Sequence, residues 1–545
     1  MKKLFLVSLL ILAGSISFSA ELPDNIYFKA MKDEMNRTLK QLREPGSPKI
    51  NYMTYKMSKY KPLFAFSSSL GSFYPEEKQN SGAIALWVTV SVGDNKQDSL
   101  GMSGNYPVSP IRAEDVPESY DGIRQFLWQA TSDAYFQALD LYQQKVTYKQ
   151  QKDVKDDLPD VVPAVQSNYV ETIADEPYSF EPARFQDLIQ RLTDRGNKYS
   201  YIKDFYISVS GNSFSMFYLN NNGGFFQKNY KQLNVEMNIS YVTKTGFHKE
   251  VSSNFVLPLD AADFEEKLTQ QADKLLAEVE QTYKAEKGTS YIGPVLLKPQ
   301  ATAELFVQTF IPSVTNLTPL RSLYREEDTS AGLLQDGIGK PILSKLIDVY
   351  DRPQLRVFDG FSMGPISPID DEGVQAKDLT IIQKGVLTAL PTSTRPFAKN
   401  VKSNGHARGN RYNEPREALT NVIVDVETGI SDKELEDALL QLCREKNLEY
   451  CYILSDIPQG KASNRALTRI YAKDGRKEPI DGLFAENLSL HTLRKDVVAG
   501  GVTKEVYFFY NPVRTNIIAP SLLLDDMSLQ VSKKRPDSPS FIPKP

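Results

Sequence analysis

At 545 residues the chain is too long for one compact core, and roughly two to four domains are expected. Hydrophobic residues make up 41% and charged residues 24%, a soluble globular balance that excludes long disorder. The formal net charge is −4, and so mildly acidic a surface excludes the electrostatic footprint of a nucleic-acid binder.

Lys2 and Lys3 precede the apolar run Leu4–Ala13 and the small-residue segment Gly14–Ala20. That is the layout of a secretory signal peptide over residues 1–20, too short to span a bilayer as a helix. Cleavage is expected after Ser19 or Ala20, giving an exported protein, periplasmic or extracellular, with no integral membrane segment after cleavage. Loss of the two lysines leaves 62 basic residues against 68 acidic ones, a net charge of −6.

Residues 21–287 read as an N-terminal region of two helix–sheet units. Asp24 is placed to cap a helix whose Phe28, Met31, Met35, Leu39 and Leu42 share one face, ended by Pro45-Gly46. Strands follow at Tyr52–Met57, Pro62–Ser68 and Ala83–Val92. A long helix from Ile123 to Lys149 carries an apolar stripe including Phe126, Leu127, Ala130 and Ala134, and its polar far end is expected to project or fray. The acidic, Pro-punctuated stretch within residues 151–180 predicts a linker or a strap over the surface. The second unit has a helix at Pro182–Thr193, strands at Tyr199–Ser210, Ser213–Leu219 and Leu233–Thr243, and a helix from Asp260 to Lys287. Asn220–Gly224 signals a hairpin between Leu219 and Phe225. The two units suggest an internal duplication, although they share no residue motif.

From residue 288 to 530 the chain is strand-rich, and the whole predicts an α+β fold. The stretch Tyr291–Thr315 opens with a short apolar strand, and Pro299 then suits the first turn of a helix. Ala303, Phe306, Val307 and Phe310 make its apolar stripe, with Pro312 as its stop. Leu379–Ile382 and Val386–Leu390 form a hairpin about Lys384-Gly385. Ser431 and Glu434 have capping-box spacing at the head of a helix through Leu442. Strands at Asn421–Val426, Tyr450–Leu454, Ala466–Tyr471, Glu505–Tyr510 and Ile517–Leu524 complete the domain, and residues 531–545 read as a disordered tail. Cys443 and Cys451, the only cysteines, either form one bridge or pack as reduced thiols.

In order, GPVLLKPQATAELF (Gly293–Phe306), DDEGVQAKDLTIIQKGVLTAL (Asp370–Leu390), KSNGHARG (Lys402–Gly409), YAKDGRKEPIDGLF (Tyr471–Phe484) and NIIAPSLLLDDMSL (Asn516–Leu529) resemble the TldD/PmbA family. The family, also called TldD/TldE, comprises metallopeptidases first linked to microcin processing and gyrase modulation, and the resemblance is closest to its exported members. Catalytic members carry His-Glu-x-x-x-His on the helix after GPVLL, with a later Cys taken as third zinc ligand. Two imidazoles hold the ion and the Glu polarises its water. Five residues apart, the two His would lie about 140° apart on a regular helix, so that helix must distort. The equivalent positions here are Val307, Gln308 and Pro312, which supply no imidazole and no carboxylate.

The resemblance therefore implies the PmbA/TldE kind of subunit, which lacks the metal motif and pairs with a TldD-like subunit in peptide proteolysis. A homo- or hetero-dimer, a peptide substrate, no nucleic acid and no bound cofactor are expected. A peptidase with other ligands would require zinc and would have His406 as its anchor, and an independent extracytoplasmic binding or structural protein is the third reading. Only His248, His406 and His491 exist. Asn404, His406, Arg408 and Arg411, in the glycine-bracketed KSNGHARGNR, are candidates for lining a peptide cleft; the competing reading is a turn with exposed charges. Asp370-Asp371-Glu372 offers clustered oxygens for Ca²⁺ but lacks EF-hand spacing, so a solvated turn is expected. Ser393, Ser403 and Ser455 sit in no Gly-x-Ser-x-Gly context, and no phosphate-binding glycine loop is present.

Overall fold

The computed structural model describes residues 21–75, 83–102, 111–113, 115–153, 158–171, 182–244, 246–315, 317–318, 334–364, 368–409, 414–457, 465–510 and 513–532. The expected signal peptide, Arg411 and the tail beyond residue 532 lie outside them. Two large sheets organise the chain, one drawn from residues 50–258 and the other from residues 286–531.

The first sheet has eight strands. Its centre is the antiparallel pair Ile50–Ser69 and Ile202–Asn220, flanked by Ala83–Val92 on one side and Phe225–Val242 on the other. Helices α1 (Ile26–Gln41) and α2 (Tyr120–Gln151) bury Phe28, Met31 and Leu127 against one part of it. Helices α3 (Pro182–Asp194) and α4 (Phe264–Lys284) bury Ile189, Leu268 and Leu275 against another. Each helix pair thus belongs to one of the two units, which meet at the central strand pair.

The second sheet has twelve strands built around Arg514–Val531. That strand pairs with Asn421–Val426, Tyr291–Leu297, Leu483–Ala485 and Val497–Tyr510. Helix α5 (Pro299–Leu305) runs through a turn at Phe306–Phe310 into α6 (Ile311–Val314), and its apolar side enters the largest core. Helix α7 (Asp432–Glu445) starts with the capping box of Ser431 and Glu434 and lies against the sheet's other side. A disulfide joins Cys443 at its end to Cys451 on strand Tyr450–Leu454, settling the alternative of two reduced thiols.

Several local expectations need correction. Asn25, not Asp24, caps α1: its side chain accepts from the N–H groups of Tyr27 and Phe28, and Leu39 is exposed at 43%. The two strands expected about Lys59–Lys61 are one, because a register shift between Pro62 and Phe64 accommodates the missing N–H. Likewise Ile202–Asn220 runs unbroken, and strand His248–Pro258 was not foreseen. The end of α2 neither projects nor frays. Lys145 is buried there and donates to the Leu100 carbonyl at 2.6 Å, with Asp160 at 2.7 Å.

Asp160 belongs to a strap that touches both sheets' domains. Val161 N–H donates to Asn95 O on one side, while Val162 and Ser167 donate to Thr394 O and Gly373 O on the other.

Candidate functional site

Pro299 sits at the first position of α5, where its missing N–H costs nothing. Ala301, Ala303, Leu305, Phe306 and Phe310 are fully buried, and half-buried Val307 packs on the same core. The regular helix gives way at Phe306–Phe310 to a wide turn, in which Ile311 N–H reaches back five residues to Phe306 O. This is the distortion that a five-residue ligand spacing requires. Pro312 does not stop the helix, as expected from sequence; α6 continues to Val314. Widening the turn moves the carbonyl four residues back away from the proline ring, which relieves the usual clash. Hydroxyls of Thr309, Ser313 and Thr315 each donate to the carbonyl four residues earlier, satisfying acceptors around the break.

The outward side of this helix is polar at every fourth position: Gln300, Glu304 and Gln308. Gln300 Nε2 donates to Glu304 Oε1 at 2.9 Å. Glu304 Oε2 accepts the N–H of Ile457, and Gln308 Nε2 donates to the carbonyl of the same residue at 2.8 Å. Two side chains one turn apart thereby grip both backbone polar groups of one residue, Ile457. Gln308 is committed to this backbone contact.

Gln300 and Glu304 also line a cleft of about 540 Å³ between α4, strand His248–Pro258 and strand Val497–Tyr510. Across it stands Arg465, whose Nε donates to Glu278 at 2.7 Å and Nη2 to the Ser252 carbonyl at 3.2 Å, with Asp456 at 3.6 Å from Nη1. Burial opposes its charge, but Glu278 and Asp456 hold its pKa above the usual arginine value. Burial, reinforced by the charge of Asp456, pushes Glu304 up to about 7, against the pull of Ile457 N–H and Gln300. A carboxyl that changes charge near neutrality beside an arginine can bind or release a proton as a polar ligand enters.

The KSNGHARG segment is placed elsewhere, inside the domain. Gly405 has φ +82°, and a β-carbon there would meet Gln375 O at 2.1 Å, so only glycine fits. His406 is fully buried, with Nδ1 2.9 Å from Asn404 Oδ1 and Nε2 3.2 Å from Asp351 Oδ2. Burial alone would raise Asp351, but His406 and the N–H groups of Asn421 and Thr420 hold it below the usual carboxylate range. Asn404 accepts from Thr392 N–H and donates to Leu390 O. Arg408 is 8% exposed. The structure gives these three residues interior contacts rather than an open wall.

The acidic turn is not solvated either, contrary to the sequence expectation. Asp370 is fully buried and accepts from the N–H groups of Glu372, Val374 and Ala407; Asp371 accepts from Gly409 N–H and Lys56. The acidic turn and KSNGHARG are therefore one assembly, each supplying what the other buries.

Zinc does not fit Val307, Gln308 and Pro312, the positions that the resemblance aligns with metal ligands and base. Val307 has no lone pair, the Gln308 amide is engaged and Pro312 has no side-chain donor. Among the described residues no three His, Cys, Asp or Glu are arranged to hold a metal ion. Glu278, Gln300 and Arg465 had no place in the sequence reading, and Glu304 was noted only as the helix's one acid. The four-residue spacing Gln300–Glu304–Gln308 was the available signal.

Residues 289–531 match the family model described as the PmbA/TldA metallopeptidase C-terminal domain. No curated protein matches. Among solved structures, TldE from Thermococcus kodakarensis aligns over 92% of this chain and all of its own, at 14% identity and TM-score 0.58. A putative modulator of DNA gyrase from Thermotoga maritima aligns over 92% and 100%, at 13% identity and TM-score 0.59. Another from Bacteroides thetaiotaomicron aligns over 92% and 98%, at 13% and 0.58. At these identities the structures establish likeness of fold.

Proposed function

We propose that this chain, which belongs to the TldD/PmbA family through its residues 289–531, is a non-catalytic, TldE-like subunit. It pairs with a metal-bearing homologue and helps bind or admit peptides for proteolysis outside the cytoplasm. One observation carries the reading. The wide turn of the metal-site helix is kept, while Val307 is turned to packing and Gln308 to the Ile457 carbonyl. In this reading the helix keeps the shape such a site needs, while Val307 and Gln308 supply neither imidazole nor carboxylate.

The cleft beside α5 is large enough for several residues of an extended peptide, and its amides, arginine and Glu304 suit backbone groups. The signal-peptide layout and the Cys443–Cys451 bridge both favour an oxidising space beyond the membrane.

The test is co-expression with a homologue bearing His-Glu-x-x-x-His. Co-purification in fixed ratio, with chelator-sensitive peptide cleavage that needs both chains, is the expected result. Stoichiometric zinc and cleavage by this chain alone would overturn it.

A further inference from the structure

A second, smaller cavity lies at the seam between the two sheets' domains, apart from the α5 cleft. Its volume is about 50 Å³, room for a few waters or one small organic group. Most of its wall is apolar, from Leu100, Val161, Pro163 and the face of Tyr52. Four carboxyls also line it, those of Asp98, Asp371, Glu372 and Glu414, against the single guanidinium of Arg395.

The hydrogen bonds of these groups are unequal. Asp98 is saturated: it faces Arg395 at 2.7 and 3.3 Å, Lys145 at 3.4 Å, Ser91 Oγ at 3.0 Å and Leu100 N–H at 3.1 Å. Asp371 has Lys56 and Gly409 N–H. Glu372 accepts from Thr394 N–H at 2.6 Å, and Glu414 Oε2 from Gly101 N–H at 3.3 Å. Glu414 Oε1, however, is fully buried and has no partner among the described residues. Neither Glu372 nor Glu414 forms an ion pair among the described residues. An acceptor left bare in such a place costs about 1–3 kcal/mol, which a donor-bearing guest would recover.

We propose that this cavity binds a small primary ammonium group, with Glu414 Oε1 as its acceptor and Glu372 beside it. The bare atom of the ionised carboxyl is an acceptor, so the guest must donate; Asp98 and Asp371 already have cations, which leaves Glu372 and Glu414 to favour a further one; and the apolar wall suits a short alkyl stem. A metal ion is disfavoured because among the described residues no three potential ligands are arranged to hold one. In support, burial raises Glu414 above the ordinary glutamate range against the pull of Arg395, and burial with the charge of Asp370 carries Glu372 up to about 8, so a further cation beside them would be favoured. The strap roofs the cavity through Val161 and Pro163 and is bonded to both domains, so the guest stabilises the seam. None of this rests on the subunit role proposed above.

The test uses the full chain and methylammonium as probe, followed by calorimetric titration and thermal shift at constant ionic strength. A saturable signal is expected with methylammonium and none with methanol or acetate. Glu414→Gln should weaken binding about tenfold or more. Ala164→Phe, which fills the cavity, should abolish it, whereas Val165→Phe, at a strap position 87% exposed, should leave it unchanged. The Ala164 and Val165 pair decides the matter even where the Glu414 variant fails to fold. No saturable binding, an equal response to methanol, or binding that survives Ala164→Phe overturns the proposal.

Discussion

Replacing Glu304 by Gln should alter the pH dependence of stability in a defined direction. Its carboxyl is raised from the ordinary 4.5 to about 7 by burial and by Asp456. Between those two values the folded protein holds a proton that the unfolded chain has released, so stability falls as pH rises through that window and is level above it. The rise from 4.5 to about 7 corresponds to about 3.4 kcal/mol as an upper bound. Gln keeps an oxygen for Ile457 N–H and cannot ionise. At about pH 5 the variant should match the wild type or be weaker by about 1 kcal/mol, the cost of readjusting the Gln300 contact. At about pH 8 it should be more stable, and the gap in Tm should widen by roughly 6 °C across the range for a domain of this size. Scanning calorimetry on both proteins in the same buffers reads the difference, with every other titrating group cancelling. A gap that does not change with pH would show that Glu304 ionises freely in the folded state.

Val307→His should bring no zinc, because one imidazole cannot replace three absent groups; metal analysis after gel filtration checks it, and one bound zinc per chain would refute it. Replacing Cys443 and Cys451 together by Ser should lower stability by about 2.5 kcal/mol, from the loop entropy of an eight-residue separation, measured by chemical unfolding with and without reductant. Gly405→Ala should cost more than about 2 kcal/mol or prevent folding, since the residue has φ +82° and Gln375 O stands 2.1 Å from the new carbon; soluble yield and Tm report it.

The parts of the structure legible in the sequence are those set by short-range chemistry. The capping box at Ser431, the hairpin at Asn220–Gly224 and strands Ala83–Val92 and Asn421–Val426 need only neighbouring residues for their explanation, and they fell where expected. Pro62 misled because its effect depends on a register shift against a strand some 150 residues away. Asp370-Asp371-Glu372 misled more deeply. Clustered acids read as solvated until the donors of Ala407, Gly409 and Lys56 are brought to them by the fold. The polar stripe of Gln300, Glu304 and Gln308 was hidden by the stronger apolar one on the same helix, and its partner Ile457 lies about 150 residues on.

That stripe bears on how the wide turn at Phe306–Phe310 is held. A wide turn is uncommon in a helix and is held only by compensating contacts. Here those contacts come from the chain itself: Pro312 fits the turn, three hydroxyls satisfy the carbonyls around it, and Gln308 ties its outward side to Ile457. The backbone here makes a fixed connection between helix α5 and the segment after strand Tyr450–Leu454. Glu304, one turn earlier, belongs both to that connection and to the cleft. A guest that reaches Glu304 therefore acts on the Ile457 peptide as well, and through it on the wall that Asp456 and Arg465 build.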